Sequence, residues 1–156
     1  MSDASVPETA ARAFTITRVF DAPRELVFAA WTNPEHLAQW WGPHGVTTPL
    51  STISADVRPG GTWRATMIRD DNGRRYPMGG EYIEVSPPER LVFTWGDAED
   101  MDDPAGASVV TVDLADLGGK TRMRFHQAGF SVTEERENVR DGWSEAFERL
   151  GRVVER

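Results

Sequence analysis

From Val46 to Gly129 the chain is a succession of short alternating segments, each closed by residues that turn the backbone, and this pattern restricts the fold more than any other feature. VTTPLSTISADV runs into Pro59-Gly60-Gly61, TWRATMIRD into Asp-Asn-Gly, and RYPMGGEYIEVS into Pro87-Pro88. RLVFTWGD leads into an acidic loop, ASVVTVDLAD stops at Gly118-Gly119, and KTRMRFHQA stops at Gly129. Alternation sends successive side chains to opposite faces, while Gly, Pro, Asn and Asp supply the turns, so each segment predicts a strand. Phe14, Ile16 and Phe20 alternate in the same way in FTITRVF, which brings the total to about seven strands. Connections this short join neighbours, and the sheet they build is an antiparallel meander.

Helical periodicity flanks this region. APRELVFAAW opens with Pro23 at an expected first helical position and repeats Leu26, Val27, Ala30 and Trp31 at helical spacing. NPEHLAQWWGPHG predicts a second, two-turn helix: Asn33 is the N-cap, Pro34 suits the first turn, Gly42 suits a left-handed stop and Pro43 forbids continuation. In the last 26 residues, Ser131 and Glu134 match an S-x-x-E capping box. Val139, Trp143, Ala146, Phe147, Leu150, Val153 and Val154 then form one wide apolar stripe. Gly142 interrupts that stripe at about 1 kcal/mol relative to alanine, a cost that close approach of a neighbouring backbone would explain. The architecture expected is α+β: a curved antiparallel sheet around a long C-terminal helix, with two short helices after the first strand. Residues 1–13 read as a flexible tail and 14–156 as a single domain.

Composition narrows the function classes. The chain has 25 acidic against 17 basic residues, a formal net charge of −8, which argues against nucleic acid and anionic membrane surfaces as partners. Zero cysteines exclude disulfides, thiolate catalysis and Cys-ligated metal sites, and fit a reducing cytoplasm. No apolar run approaches the roughly 18 residues of a spanning helix. MSDASVPETAARA has neither the basic nor the apolar region of a secretory signal.

The segments DAPRELVFAAWTNPEHLAQWWGP, RPGGTWRATMIRDDNGRRYPMGGEYIEVSPPERLVFTW, TRMRFHQAGF and GWSEAFERLGRVV, in this order, resemble the START-like (SRPBCC) superfamily and its helix-grip fold. Within it the chain is similar to the heat-shock protein 90 ATPase activator homologues. The resemblance implies a deep cavity between sheet and long helix that accepts an apolar or amphipathic molecule, lipid-like or aromatic. It also implies two other activities found on this fold or in this family: polyketide cyclase or aromatase chemistry, and stimulation of a chaperone ATPase. Two departures bear on these. Where the family often carries a histidine two residues before the closing Gly-Phe, this chain has Gln127, with His126 on the opposite face of the strand. The eukaryotic co-chaperones carry an additional N-terminal chaperone-binding domain, whereas only 13 residues precede the first strand here, so chaperone binding is not the expectation.

Alternation nominates the cavity walls. Trp63, Ala65 and Met67 share one strand face, Leu91, Phe93 and Trp95 another, and Met123, Phe125 and Gln127 a third, all facing Trp143, Phe147 and Leu150 of the helix. One of the adjacent Trp40 and Trp41 pins its helix to the core and the other lines the cavity. The ligand-binding candidates are therefore Trp41, Trp63, Met67, Phe93, Trp95, Met123, Phe125, Gln127, Trp143 and Phe147. Their bulk and their methionines suit an adaptable apolar pocket, with Gln127 as a buried polar group whose partner is a ligand or an internal water. An enzyme on this fold needs an inward acid or base, for which Glu81, Glu84 and Tyr82 are the candidates.

No other motif carries chemistry. His36 and His44 are eight apart with no completing ligand set, so no metal site is expected and both histidines read as incidental. Five acids between Asp97 and Asp103 lack the ordered spacing of a calcium loop and read as a solvated loop. Nucleotide-binding glycine patterns and a G-x-S-x-G elbow are absent, and no cofactor is expected. The function expected is small-molecule binding without catalysis, and an exposed sheet edge offers a surface for a homodimer.

Overall fold

The computed structural model describes residues 13–97, 108–129 and 133–155. Strand β1 (Ala13–Phe20) is followed by helices α1 (Arg24–Thr32) and α2 (Pro34–Trp40). Strands β2 (Val46–Thr47), β3 (Ser54–Ala55), β4 (Thr62–Arg69), β5 (Arg75–Ser86), β6 (Arg90–Asp97), β7 (Ser108–Asp116) and β8 (Thr121–Ala128) come next, and helix α3 (Thr133–Val154) closes the order. All strand pairs are antiparallel, in the order β1-β8-β7-β6-β5-β4-β2, with β3 also on β4. The α+β helix-grip architecture is thus the one the sequence predicts. Residues 1–12 of the expected tail, the acidic run after Asp97 and Ser131 of the capping box lie outside the described residues. Among those described, no helix is long and apolar enough to cross a membrane.

One expected strand is divided, which raises the count to eight. VTTPLSTISADV pairs with β4 only at its two ends, because Pro49 opens a 3-10 turn over Leu50–Thr52. Proline has no N–H for the ladder, and the Thr52 hydroxyl takes over by donating to the Pro49 carbonyl and accepting from Thr66 N at 3.1 Å. In α1, Pro23 is the N-cap rather than the first helical residue. Phe28 is buried where Leu26, expected in the stripe, is 38% exposed.

The α2 signals act as predicted. Asn33 Oδ1 accepts the Glu35 N–H at 2.9 Å, Pro34 begins the helix, and Gly42 follows its end with φ +106°. A Cβ on Gly42 would also lie 2.6 Å from Val46 Cγ2 and 2.9 Å from Met67 Sδ, so glycine is needed twice over.

The sheet bends where β5 crosses β6. A side chain on Gly80 would run into the Thr94 carbonyl, which instead accepts the Trp63 indole N–H at 3.0 Å, while the Thr94 hydroxyl accepts Glu81 N–H at 2.8 Å. The register then shifts by one between Tyr82 and Glu84. That bulge decides the open question of the glutamates. Tyr82 points in and is buried, and Ile83 is 52% exposed. Glu81 is exposed, and Glu84 binds the Ser86 hydroxyl at 3.0 Å and the Arg90 guanidinium at 3.4 Å on the outer side.

The core lies between sheet and α3 and is a ring cluster. Trp31 of α1 is its hub, with its ring 4.8 to 6.3 Å from those of Trp40, Trp41, Phe93, Phe125, Trp143 and Phe147. Trp143, Ala146, Phe147, Leu150 and Val154 are the buried stripe of α3.

Candidate functional site: an apolar cleft beside a closed core

The interior expected to be hollow is largely filled. Met123, Phe125 and Phe147 are 0% exposed, and the rings of Phe125 and Phe147 pack against those of Trp31 and Trp143. A space of only about 20 Å³ persists between Trp31, Trp41, Trp63, Tyr82 and Phe93, which is room for about one water. The deep cavity is therefore corrected to something shallower, because the α1 side chains, Trp31 above all, occupy the volume that the strand faces leave.

The open volume lies nearer the surface. A cleft of about 180 Å³ runs between α3 and the sheet. Helix α3 lines it with Val139, Gly142, Trp143 and Ala146; the chain after α2 contributes Trp41, Gly42 and Pro43; the sheet contributes Met67, Met78 and Trp95. Where α3 presents Phe147 and Leu150 the space is filled, and where it presents Gly142 and Ala146 a cleft is left. Among the described residues that line it, none carries a charge.

Of the ten residues nominated from sequence, Trp41, Met67, Trp95 and Trp143 meet at this cleft, and Trp41, Trp63 and Phe93 border the small space beneath it. Met123, Phe125, Phe147 and Gln127 line neither. Met78, Val139, Gly142 and Ala146 were not nominated. The alternation that points Tyr82 inward also points Met78 inward, and that signal was available in the sequence.

Gln127 has protein partners, in place of the ligand or water expected for it. Its Nε2 donates to Ser108 Oγ at 2.7 Å and its Oε1 accepts from the Trp143 indole at 2.8 Å. Ser108 Oγ in turn donates to the Trp95 carbonyl at 2.9 Å. This chain of bonds ties the helix wall of the cleft to its sheet wall, so Gln127 positions Trp143 and Trp95. The signal for this, a buried amide facing a helix tryptophan, was present, but its serine partner lies nineteen positions away on another strand.

A clasp holds the cleft's outer rim. Arg149 of α3 donates to the carbonyls of Gly42 at 2.9 Å and of Pro43 at 3.4 Å. Glu145 accepts the His44 N–H at 2.9 Å, and the His44 ring lies 3.6 Å from Glu145 and 3.7 Å from Glu148. His44 is thus part of a strut rather than an incidental loop residue. His36, on α2, is half-buried. Among the described residues no group of three or more His, Cys, Asp or Glu is placed to hold a metal ion.

The titratable groups near the interior are few. Burial pushes the Tyr82 phenol up, with Asp56 adding to the effect, which makes it a poor base at neutral pH. His126 lies on the outer face as alternation predicts, 2.9 Å from the Thr15 hydroxyl, and burial, aided by Arg124, pulls its imidazole down.

Comparison with known proteins places the fold in a family. The family model described as activator of Hsp90 ATPase homolog 1-like protein matches residues 21–155. A Chromobacterium violaceum structure superposes with a TM-score of 0.82 at 28% identity, covering 92% of this chain and 98% of that one. An Arthrobacter aurescens solution structure gives 0.79 at 26% identity, over 93% and 87% of the two chains. The AHSA1 protein of Silicibacter pomeroyi gives 0.77 at 27% identity, over 89% and 94%. No curated protein matches the chain significantly.

Proposed function

The chain belongs to the activator of Hsp90 ATPase homolog 1-like family, and on that premise we propose that it binds a small apolar or amphipathic molecule in the cleft between α3 and the sheet. The observation that carries this reading is the cleft itself: about 180 Å³ bounded by three indole rings and two methionines, beside an interior that is otherwise closed. Its driving force is apolar burial, roughly 2.5 kcal/mol per 100 Å² of ligand surface before the costs of association. Thioethers and aromatic faces suit ligands of varied outline. A cytoplasmic setting accords with a chain that has no cysteine.

The cyclase alternative has less support. Glu81 and Glu84 face outward, the Tyr82 phenol is held protonated by burial, and among the described residues no carboxylate or imidazole lines the cleft. Native mass spectrometry of the purified protein tests the binding reading. The expected result is a low-mass adduct lost on denaturation and lost in Trp41→Ala. At a hundredfold excess over Kd, that ligand raises stability by about 2.7 kcal/mol, or Tm by roughly 5–10 °C. A bare chain, with no melting shift from any apolar compound, would remove the reading.

A further inference from the structure

Two glycines interrupt α3, and they sit in different surroundings. A Cβ on Gly151 would rest 3.6 Å from Phe20 Cε1, ordinary contact with β1, so that glycine lies against packed structure. A Cβ on Gly142 would meet no atom of the described residues within 4 Å. The close backbone approach that the sequence suggested for Gly142 is therefore absent. The helix nonetheless carries a residue costing about 1 kcal/mol relative to alanine at an interior position. The only described feature at this position is the cleft, which Gly142 lines between Val139 and Ala146.

We propose that Gly142 is the residue that sets how large a molecule the cleft admits, and that the molecule is a compact, uncharged ring compound; this rests on the binding reading above. The class follows from the walls. About 180 Å³ is close to the roughly 150 Å³ of apolar cavities that accept benzene, and small for ligand pockets, which run from about 300 Å³. Trp41 and Trp143 meet edge to face at 5.1 Å, and Trp95 stands 6.5 Å from Trp143, so flat aromatic surfaces face the ligand. Among the described lining residues there is no cation to offset an anion's desolvation and no carboxylate to offset a cation's. A Cβ at 142 meets no described atom, and a larger side chain there takes its space from the cleft that Gly142 lines.

The consequence is unusual in sign: the substitution that stabilises the fold weakens binding. The test is calorimetric titration of the full chain and its Gly142→Ala and Gly142→Leu variants with 1-naphthol and with 1-naphthalenesulfonate, beside their thermal melts. The expected wild-type result is binding of 1-naphthol, with the sulfonate at least tenfold weaker. Gly142→Ala should melt about 2–4 °C higher and bind 1-naphthol about threefold or more weakly; Gly142→Leu should melt no lower than wild type and lose at least thirtyfold. Wild-type affinity for 1-naphthol in Gly142→Leu would overturn the role of Gly142 while leaving the binding site intact. Equal binding of the sulfonate, or no binding of either probe by wild type, would overturn the ligand class. An adduct in native mass spectrometry would still uphold the broader reading in that case.

Discussion

Trp40 and Trp41 are adjacent and both nearly inaccessible, at 0% and 5% exposure, yet they belong to different regions. Trp40 donates its indole N–H to the Ala30 carbonyl at 2.9 Å and packs edge-on to Trp31 at 4.8 Å, so it fastens α2 to α1 inside the closed core. Trp41 donates its indole N–H to the Met78 thioether at 3.3 Å, a weak acceptor, and borders both the cleft and the small space beside it. Burial alone does not distinguish a structural ring from a binding one. What distinguishes them is whether atoms press on every side of the ring, and that depends on what distant elements bring up to it.

Truncating each ring should separate the two. Trp40→Ala should cost about 3–5 kcal/mol by urea unfolding, since it opens a void in a packed cluster and orphans the Ala30 carbonyl. Trp41→Ala should cost visibly less, about 2 kcal/mol, because part of its surface already faces open space and fewer contacts are lost. Equal losses would mean that the cleft wall is as tightly packed as the core. A smaller effect, about 1–3 kcal/mol, is expected for Gln127→Leu, which leaves the Trp143 N–H and Ser108 without their partner. Gln127→Leu should also weaken binding in the cleft without Gln127 touching the ligand, because Trp143 loses its anchor. Unchanged affinity would separate the amide from the site.

The smallest effect concerns the outer face of β8, on the opposite side of the sheet from both regions. The His126 imidazole is held below its ordinary value of 6.5 in the folded chain, first by burial and then by Arg124. The unfolded chain therefore takes up the proton first. This contribution to stability is present in full above about pH 6.5 and declines as pH falls through that value. His126→Asn should flatten that slope in urea midpoints taken between pH 8 and 5, and ligand affinity should not change. A wild-type slope of opposite sign would contradict the assignment.

Much of this was legible in the sequence because it is local. Period-two alternation between Gly and Pro turns marked the strands, and Asn33-Pro34 and Gly42-Pro43 bounded α2 to the residue. The inward sets on β4, β6 and β8 followed from the same alternation. Three things were not legible, each for a non-local reason. Pro49 divided a strand because the β4 backbone found Thr52 as a substitute partner. The bulge at Ile83 reversed the phase of Glu84, through a register shift against β6 that alternation within β5 alone does not reveal. The division of the inward residues into closed core and open cleft depends on Trp31, whose ring reaches from α1 to both strands and helix. Alternation says which way a side chain points but not whether another one fills the space in front of it.

Whether the cleft or the closed core receives the ligand can be read from the six tryptophan indole N–H signals in nitrogen-edited NMR spectra during titration with 1-naphthol. A ligand in the cleft should give large shifts for Trp41, Trp95 and Trp143, with Trp31 and Trp40 nearly still. Shifts as large at Trp31 and Trp40 as at Trp95 would place the molecule in the interior and contradict binding in the cleft.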